Sequence, residues 1–223
     1  MPVDDYVHVG NGQANTTEES NQDVFLSLNG PPICPNVPDS EFRKNVLRLR
    51  DKAIILVDKR LAELVKWDSE ARARVADWFG RSDAATRDCL MSGFPKLKTV
   101  LQGLEPKNFL RASLELDRYL GCLPNLKSVK DEIAHVCAPN TATHTICIRE
   151  NFCILPATDM FGESQLATII HEATHFTDTF GTLDNMYGLN SYMMIWGRSN
   201  PSLAINNADS IAGYVVYGEE KHS

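Results

Sequence analysis

The residues from His171 to Gly188, HEATHFTDTFGTLDNMYG, combine side chains that bind metal ions with one that can move a proton. His171 and His175 are four residues apart, and Glu172 directly follows the first histidine. Residues four apart share one face of a helix, so both rings can reach a single zinc ion. The offset Glu172 would lie beside a zinc-bound water and act as its general base. This spacing predicts a metal-dependent hydrolase.

A catalytic zinc ion needs a third protein ligand and one open position. Phe180-Gly181 is expected to end the helix, because glycine supports the left-handed turn at a helix C-terminus. The chain can then double back beneath the metal and present Asp184, a carboxylate suited to zinc. Tyr187, three residues further on, could direct its phenol at the oxygen of a tetrahedral intermediate.

An HExxH motif alone is a weak signal, because the histidines could lie on the surface with Glu172 as an ordinary solvated acid. The neighbouring residues favour the metal site. Leu166, Ile169, Ile170 and Ala173 form an apolar stripe at helical spacing, which places the motif on a buried helix.

The composition limits the classes of function. The chain has 223 residues, 43% of them apolar, and a net charge of −7, which argues against a nucleic-acid partner. No apolar run approaches the ~20 residues of a membrane span. The first residues lack the basic and apolar regions of a secretory signal peptide. A cytoplasmic protein, a mature form without its leader and export by a leaderless route therefore remain open.

Cysteine usage bears on the compartment. An even number of cysteines fits a disulfide framework, while the absence of a CxxC pair weakens a cysteine-based zinc site. Unpaired buried thiols are the third interpretation. We expect disulfides, and hence a secreted or extracellular protein. The six cysteines are Cys34, Cys89, Cys122, Cys137, Cys147 and Cys153.

The sequence predicts an irregular leader over 1–38, rich in Gly, Asn, Pro and Thr. A single catalytic domain is expected over 39–223, with a helical part over about 39–127 and a small sheet plus the metal site over about 128–223. The expected strand Thr145–Arg149 could pair with an extended substrate.

Helical and alternating apolar spacings predict the individual elements. Helices are expected from Asp39-Ser40, over Ser69–Trp78, from Ser82-Asp83 to Phe94, over Lys96–Leu104, over Asn108–Leu120, from Glu163-Ser164 to Gly181, and from about Asn207 to Tyr217. Strands are expected at Ile133–Val136 and Thr145–Arg149.

HExxH followed by GTLDNMYG resembles the signature of the aspzincin metalloendopeptidases, the family of deuterolysin and peptidyl-Lys metalloendopeptidase. Their pattern continues as GTxDxxYG, and it is matched at Gly181, Thr182, Asp184, Tyr187 and Gly188. RARVADWFGRSDAATRD, HTICIRENFC and NNADSIAGY also resemble family segments. The resemblance covers about residues 40–218 and is strongest at the motif.

The resemblance implies an α+β, mainly helical, zincin-like metalloprotease fold with a small β-sheet. It implies one catalytic zinc ion held by His171, His175 and Asp184. Glu172 would be the catalytic base and Tyr187 would assist the transition state.

The segment NNADSIAGY departs from the lysine-specific members of the family. Those members use the aspartate of NADS and a glutamate three residues later as an acidic pocket for a substrate side chain. Asp209 matches the first position and is a candidate substrate-binding residue, but Ala212 stands at the second. A broader or different specificity is therefore expected. Asp209 could equally cap the helix or accept a hydrogen bond behind the metal ligands.

These features together predict a monomeric zinc-dependent metalloendopeptidase that acts on protein or peptide substrates. An inhibitor or an immunity protein is a further candidate partner. One alternative is a secreted effector or toxin with the same chemistry and a narrow substrate range. The other is a non-catalytic zincin-fold binding module, which the presence of both Glu172 and Tyr187 disfavours.

Overall fold

A computed structural model describes residues 6–13 and 21–27 as backbone, and 32–122 and 131–219 in full. The helices are α1 Asp39–Lys66, α2 Ser69–Phe79, α3 Ala84–Gly103, α4 Leu114–Tyr119, α5 Glu150–Ile154, α6 Gln165–His175, α7 Ser191–Ser199, α8 Pro201–Ala204 and α9 Ala208–Val216. The strands are β1 Tyr6–Gln13, β2 Asn21–Ser27, β3 Phe109–Arg111, β4 Ala134–Val136 and β5 Ile146–Ile148. None of the helices so described is long and apolar enough to cross a membrane.

The long helix α1 supports the metal-site half of the molecule. Its inner face buries Val46, Leu49, Val57 and Leu64 at helical spacing, and it packs against α3 and α6. The predicted start of α1, at Asp39, is confirmed. The predicted second helix is also confirmed as α2.

The prediction of separate helices on either side of Pro95 is wrong, because α3 continues through the proline. Proline removes one backbone hydrogen bond inside a helix. Here the buried side chains Leu90, Phe94, Leu97 and Leu101 form one apolar face across the break. Burial of that face offsets the lost hydrogen bond.

The predicted helix over 108–120 is also wrong. A short 3-10 turn, Pro106–Asn108, leads into β3, and only α4 is helical. Phe109 is buried at 1% exposure, and β3 pairs in parallel with β5. Ser113 then begins α4 by accepting a hydrogen bond from the Leu116 N–H at 3.0 Å. Strand pairing over a long sequence separation has overridden local helical spacing.

The two strands predicted in the second half are confirmed as β4 and β5. The strand order is β3-β5-β4, with β5 parallel to β3 and antiparallel to β4. Both edges of β5 are therefore already paired. The expectation that this strand binds an extended substrate is wrong, because it has no open edge.

The expectation of an irregular segment over 1–38 is wrong for part of it. Backbone strands β1 and β2 pair antiparallel, with Tyr6 opposite Ser27 and Gln13 opposite Asn21. Both strands contain runs of β-branched and aromatic residues, YVHV and VFL, which favour strands. The Gly and Asn residues that surround these short runs obscure them in the sequence. The domain boundary at residue 38 stays a prediction.

The expectation of disulfides is confirmed. Cys34 is bonded to Cys153, which ties the segment before α1 to α5. Cys122 is bonded to Cys137, which ties the end of α4 to the end of β4. Cys89 and Cys147 are free thiols, the first exposed and the second buried.

Glycine allows α9 to lie close to α2. A Cβ atom added to Gly213 would lie 2.1 Å from the ring of Trp78, a fully buried side chain. We expect Gly213→Ala to lower the free energy of unfolding by about 1–3 kcal/mol, because a rigid ring must shift in a packed core. Denaturation with urea measures this change.

The control is Gly103→Ala, at the exposed end of α3, where an added Cβ meets nothing within 4 Å. Its stability should stay within about 0.5 kcal/mol of the parent. Equal effects of the two substitutions would contradict the close packing of α9 on α2.

Candidate metal centre

Helix α6 presents the motif from inside the core. Its first turn is capped by Ser164, whose hydroxyl accepts a hydrogen bond from the Ala167 N–H at 3.2 Å. The predicted apolar stripe is confirmed as buried, with Ile169 and Ile170 fully inaccessible. The side chains of His171 and His175 are each only 12% exposed. The histidines therefore do not lie on the open surface.

The helix ends at His175, six residues before the predicted end at Gly181. The hydroxyl of Thr179 lies 2.8 Å from both the Ala173 and Phe176 carbonyl oxygens, and the Phe176 carbonyl also accepts the Thr179 N–H at 2.9 Å. Gly181 still adopts a left-handed conformation, with φ of 62°. The early end turns the chain back beneath the histidines, as the third ligand requires.

Three predicted ligand atoms converge at the end of α6. His171 Nε2 and His175 Nε2 lie 3.1 Å apart. Asp184 Oδ1 lies 3.3 Å from each of them. The structure therefore brings together the two histidines and the carboxylate that the sequence identified.

These separations fit a zinc ion. Zinc binds imidazole nitrogen and carboxylate oxygen at ~2.0–2.2 Å, so two ligand atoms of a tetrahedral site lie about 3.3–3.6 Å apart. The observed triangle, with edges of 3.1, 3.3 and 3.3 Å, has the size of one face of such a tetrahedron. The fourth corner of a tetrahedral site would remain for a water or a substrate.

Hydrogen bonds behind the rings fix which nitrogen faces the metal position. Nδ1 of His171 donates to Asp209 Oδ1 at 2.5 Å. Nδ1 of His175 donates to the Thr182 carbonyl oxygen at 2.8 Å. A proton held on each Nδ1 leaves each Nε2 with a lone pair for zinc. The pattern is typical of metal-binding histidines.

Asp209 lies on α9, and both of its carboxylate oxygens accept hydrogen bonds inside the protein. Its Oδ2 accepts a hydrogen bond from the Gly188 N–H at 2.7 Å, and the residue is 4% exposed. The carboxylate therefore joins α9, the loop after Asp184 and the His171 ring. A contact between Asp209 and the substrate stays a prediction, and the burial of Asp209 disfavours such a contact.

The metal position is surrounded by negative charge. Burial lowers the pKa of His171, but hydrogen bonds and charges from Asp184 and Asp209 raise this pKa well above its usual value. Burial alone would raise the pKa of Asp184, but the hydrogen bonds and charges of the two histidines lower this pKa far below its usual range. Asp184 is therefore ionised at neutral pH, and the site attracts cations.

Glu172 lies against the two histidines and is almost fully buried, at 4% exposure. Burial raises the pKa of its carboxyl group, with the nearby Asp184 adding to the shift and the histidines opposing it. Its Oε2 is buried and has no hydrogen-bond partner among the described residues. An oxygen in this position can accept a proton from a bound water.

Tyr187 lies in the loop that follows α6, three residues after Asp184. Its side chain is 69% exposed, so the phenol borders solvent. Partial burial and the charge of Asp184 raise the pKa of Tyr187 above its usual value. The phenol therefore keeps its proton at neutral pH and can donate a hydrogen bond.

Sequence reasoning missed Asn207 and Glu163. Asn207 is fully buried, and its Oδ1 accepts hydrogen bonds from the N–H groups of Asn185 and Met186, each at 2.9 Å. It thereby holds the loop beside Asp184. Glu163 Oε1 accepts a hydrogen bond from the Leu189 N–H at 3.1 Å. Burial and the charge of Asp209 raise its pKa to about 7.

The comparisons with known proteins place the chain in a family. The aspzincin family model, described as lysine-specific metallo-endopeptidase, matches residues 65–216. The chain belongs to the aspzincin family. A peptidyl-Lys metalloendopeptidase of Pleurotus ostreatus is 48% identical over 48 residues, which are 22% of this chain and 28% of the relative. The match thus spans less than a third of that relative.

Among solved structures, a zinc peptidase from Grifola frondosa matches with a TM-score of 0.58 at 19% identity. The match covers 79% of this chain and 94% of that chain. At this identity the likeness establishes the fold, and it confirms the predicted α+β, mainly helical aspzincin fold. Membership in the aspzincins confirms zinc as the cofactor of the family.

The hydrogen bond between Asp209 and His171 is expected to strengthen zinc binding. Asp209→Asn should weaken zinc binding by about 10–100-fold, because the neutral amide oxygen accepts the Nδ1–H hydrogen bond more weakly than the carboxylate and adds no negative charge to the ring. A zinc titration against a competing chelator measures the affinity. Asp178→Asn is the matched control, since Asp178 pairs with His144 at 2.9 Å and contacts neither predicted histidine ligand. Equal affinities in parent and Asp209→Asn would refute the role of Asp209.

Proposed function

We propose that this aspzincin is a zinc-dependent metalloendopeptidase that hydrolyses peptide bonds in proteins. The observation that carries the proposal is the triangle of His171, His175 and Asp184, beside which lies a buried Glu172 oxygen that has no hydrogen-bond partner in the described part of the chain. Two neutral imidazoles and one carboxylate form a ligand set that leaves a fourth zinc position open, as catalytic sites do.

Bound at these residues, zinc would polarise the substrate carbonyl and lower the pKa of water toward ~7. Glu172 takes the proton of the attacking water at its free Oε2 and later delivers it to the leaving amine. Its raised pKa suits both steps, because the carboxyl group can hold the proton between them. Asp184 stays ionised throughout and moderates the positive charge of the site.

Tyr187 is proposed to donate its phenolic proton in a hydrogen bond to the oxyanion that forms when water attacks. Two properties support this role. The phenol is exposed beside Asp184, where a substrate can reach it, and its raised pKa keeps it protonated. Tyr187 is therefore assigned to transition-state stabilisation and not to metal binding.

The substrates are proposed to be proteins or peptides met outside the cytosol. Two disulfides support an oxidising compartment. Ala212 is fully buried on α9 and carries no charge, which supports a specificity other than a strict lysine preference. A narrow-range effector is the second candidate, and cleavage-site mapping separates it from a general protease.

The proposal predicts that Glu172→Ala keeps zinc but loses cleavage. Unfolded casein is incubated with parent and variant, with and without a chelator, and the products are mapped by mass spectrometry. The parent should cut only without chelator, and loss of the base should lower the rate by about 10²–10⁴-fold.

His171→Ala provides the comparison, because removal of a ligand should abolish both zinc binding and cleavage. A Glu172→Ala protein that cleaves at the parental rate would exclude Glu172 as the base. A zinc-loaded parent that cuts no casein would favour the narrow-range effector or a binding module.

Tyr187 gives an independent prediction. Tyr187→Phe should lower kcat by about 10²-fold with little change in KM, because the lost hydrogen bond forms mainly in the transition state. Steady-state kinetics on a peptide taken from the casein map give both constants. Tyr192→Phe is the matched control, an exposed tyrosine on α7. A changed KM with an unchanged kcat would place Tyr187 in ground-state binding instead.

A further inference from the structure

A second group of metal-ligating side chains lies where α4 meets the three-stranded sheet. Asp117 on α4, His135 on β4 and Cys147 on β5 each present one ligand atom, and these atoms lie within 4.8 Å of one another. His135 and Cys147 are direct partners in the antiparallel ladder, so their side chains leave the sheet on the same face. Carboxylate, imidazole and thiolate are all zinc ligands in proteins.

One oxygen in this group lacks a partner inside the protein. Asp117 is 2% exposed, and its Oδ1 lies 2.7 Å from His135 Nε2. Its Oδ2 is buried and has no hydrogen-bond partner among the described residues. A buried carboxylate oxygen left unsatisfied is costly, and a bound cation removes that cost.

The contacts behind His135 direct its Nε2 into the group. Its Nδ1 lies 3.0 Å from Glu132 Oε2, and that oxygen also accepts a hydrogen bond from Arg149 Nε at 2.7 Å. A carboxylate behind Nδ1 holds a proton there, so Nε2 offers its lone pair to a metal ion once its own proton leaves. This lone pair and the Asp117 carboxylate repel each other unless a cation, either a proton or a metal ion, joins them.

The charges balance when the cation is divalent. The Asp117 carboxylate and the Cys147 thiolate carry two negative charges, which one zinc ion neutralises. Glu132 and Arg149 neutralise each other through their direct ion pair. The Cys147 thiol gives its proton to solvent as the sulfur binds, as in other thiolate sites. Cys147 is fully buried and has no disulfide partner that would compete for its sulfur.

A disulfide holds the ligands close without help from an ion. Cys122, just after α4, is bonded to Cys137, two residues after His135. The Cys122 N–H donates to the Asp117 carbonyl oxygen at 2.9 Å. The ends of α4 and β4 are thereby fixed to each other. A zinc ion entering here would replace the 2.7 Å hydrogen bond between Asp117 Oδ1 and His135 Nε2, because two ligand atoms of a tetrahedral zinc site lie further apart than that.

We propose that Asp117, His135 and Cys147 bind a second zinc ion, which cross-links α4, β4 and β5. We assign this ion a structural role, because Asp117 and Cys147 are buried and the second Asp117 oxygen or a water would complete the four-coordinate shell. It shares no residue with the candidate catalytic site.

Cobalt substitution tests the second site directly, because only this site offers a sulfur ligand. The full-length protein is stripped of metal, titrated with Co²⁺ and followed by absorption in the near ultraviolet, where thiolate-to-cobalt charge transfer appears. Parallel samples loaded with zinc are analysed for metal content. The parent should bind two ions and show the charge-transfer band, and His171→Ala should keep one ion and the band.

Cys147→Ser should bind one ion, lose the band and still cleave substrate, whereas Cys89→Ser, at the exposed free thiol, should match the parent. His135→Gln serves as the second variant if Cys147→Ser does not fold. A parent with one ion and no band, in which a proton alone joins His135 and Asp117, would overturn the proposal. So would two ions without a thiolate band.

Discussion

The hydrogen bond from His171 Nδ1 to Asp209 joins the two helices on which the metal centre depends. It is 2.5 Å long, and it connects α6 to α9 through a buried carboxylate. The same carboxylate accepts the Gly188 N–H, so it also holds the end of the loop that begins after α6. Ligand, helix and loop are thus positioned by one side chain. The packing of Gly213 against Trp78 seats α9 against α2 on another side.

The two histidines are held by different partners, and the difference has a physical consequence. His171 has a carboxylate behind it, which adds negative charge to the ring. His175 has a backbone carbonyl behind it, which fixes orientation with little added charge. With Asp184 ionised as the proposed third ligand, Asp184 and Asp209 together would balance the two positive charges of a zinc ion. Such a balance favours firm zinc binding together with useful polarisation of a substrate carbonyl.

Local patterns in the sequence predicted the candidate ligands, and the family resemblance offered Asp209 as a hydrogen-bond acceptor behind them, which its contact with His171 confirms. His171 and His175 are four residues apart on one helix, and Asp184 follows after a short turn. All three residues could therefore be recognised along the chain. The partner of His171 lies 38 residues away on another helix, a distance that no local pattern encodes. The same limit explains β3, whose three residues form a strand only because β5 lies beside them. Helical spacing across 108–120 was real, but pairing with β5 outweighed it.

The end of α6 shows how tertiary contacts refine a correct prediction. Glycine at 181 was rightly expected to turn the chain, yet the helix stops earlier, where the Thr179 hydroxyl and the N–H groups of Thr179, Gly181 and Thr182 bond the carbonyl oxygens at its end. Asp117, His135 and Cys147 illustrate the opposite case, since their separation of up to 30 residues gives no motif. Only the folded sheet brings these three side chains together.

The most direct test of the metal centre is a crystal structure of the zinc-loaded protein with anomalous diffraction measured at the zinc edge. The ion should lie ~2.0–2.2 Å from His171 Nε2, His175 Nε2 and an Asp184 oxygen, with Asp209 still on His171 Nδ1. Glu172 should face the fourth position without binding the ion. An ion bound by Glu172 in place of Asp184, or by Nδ1 of either histidine, would contradict the proposed site.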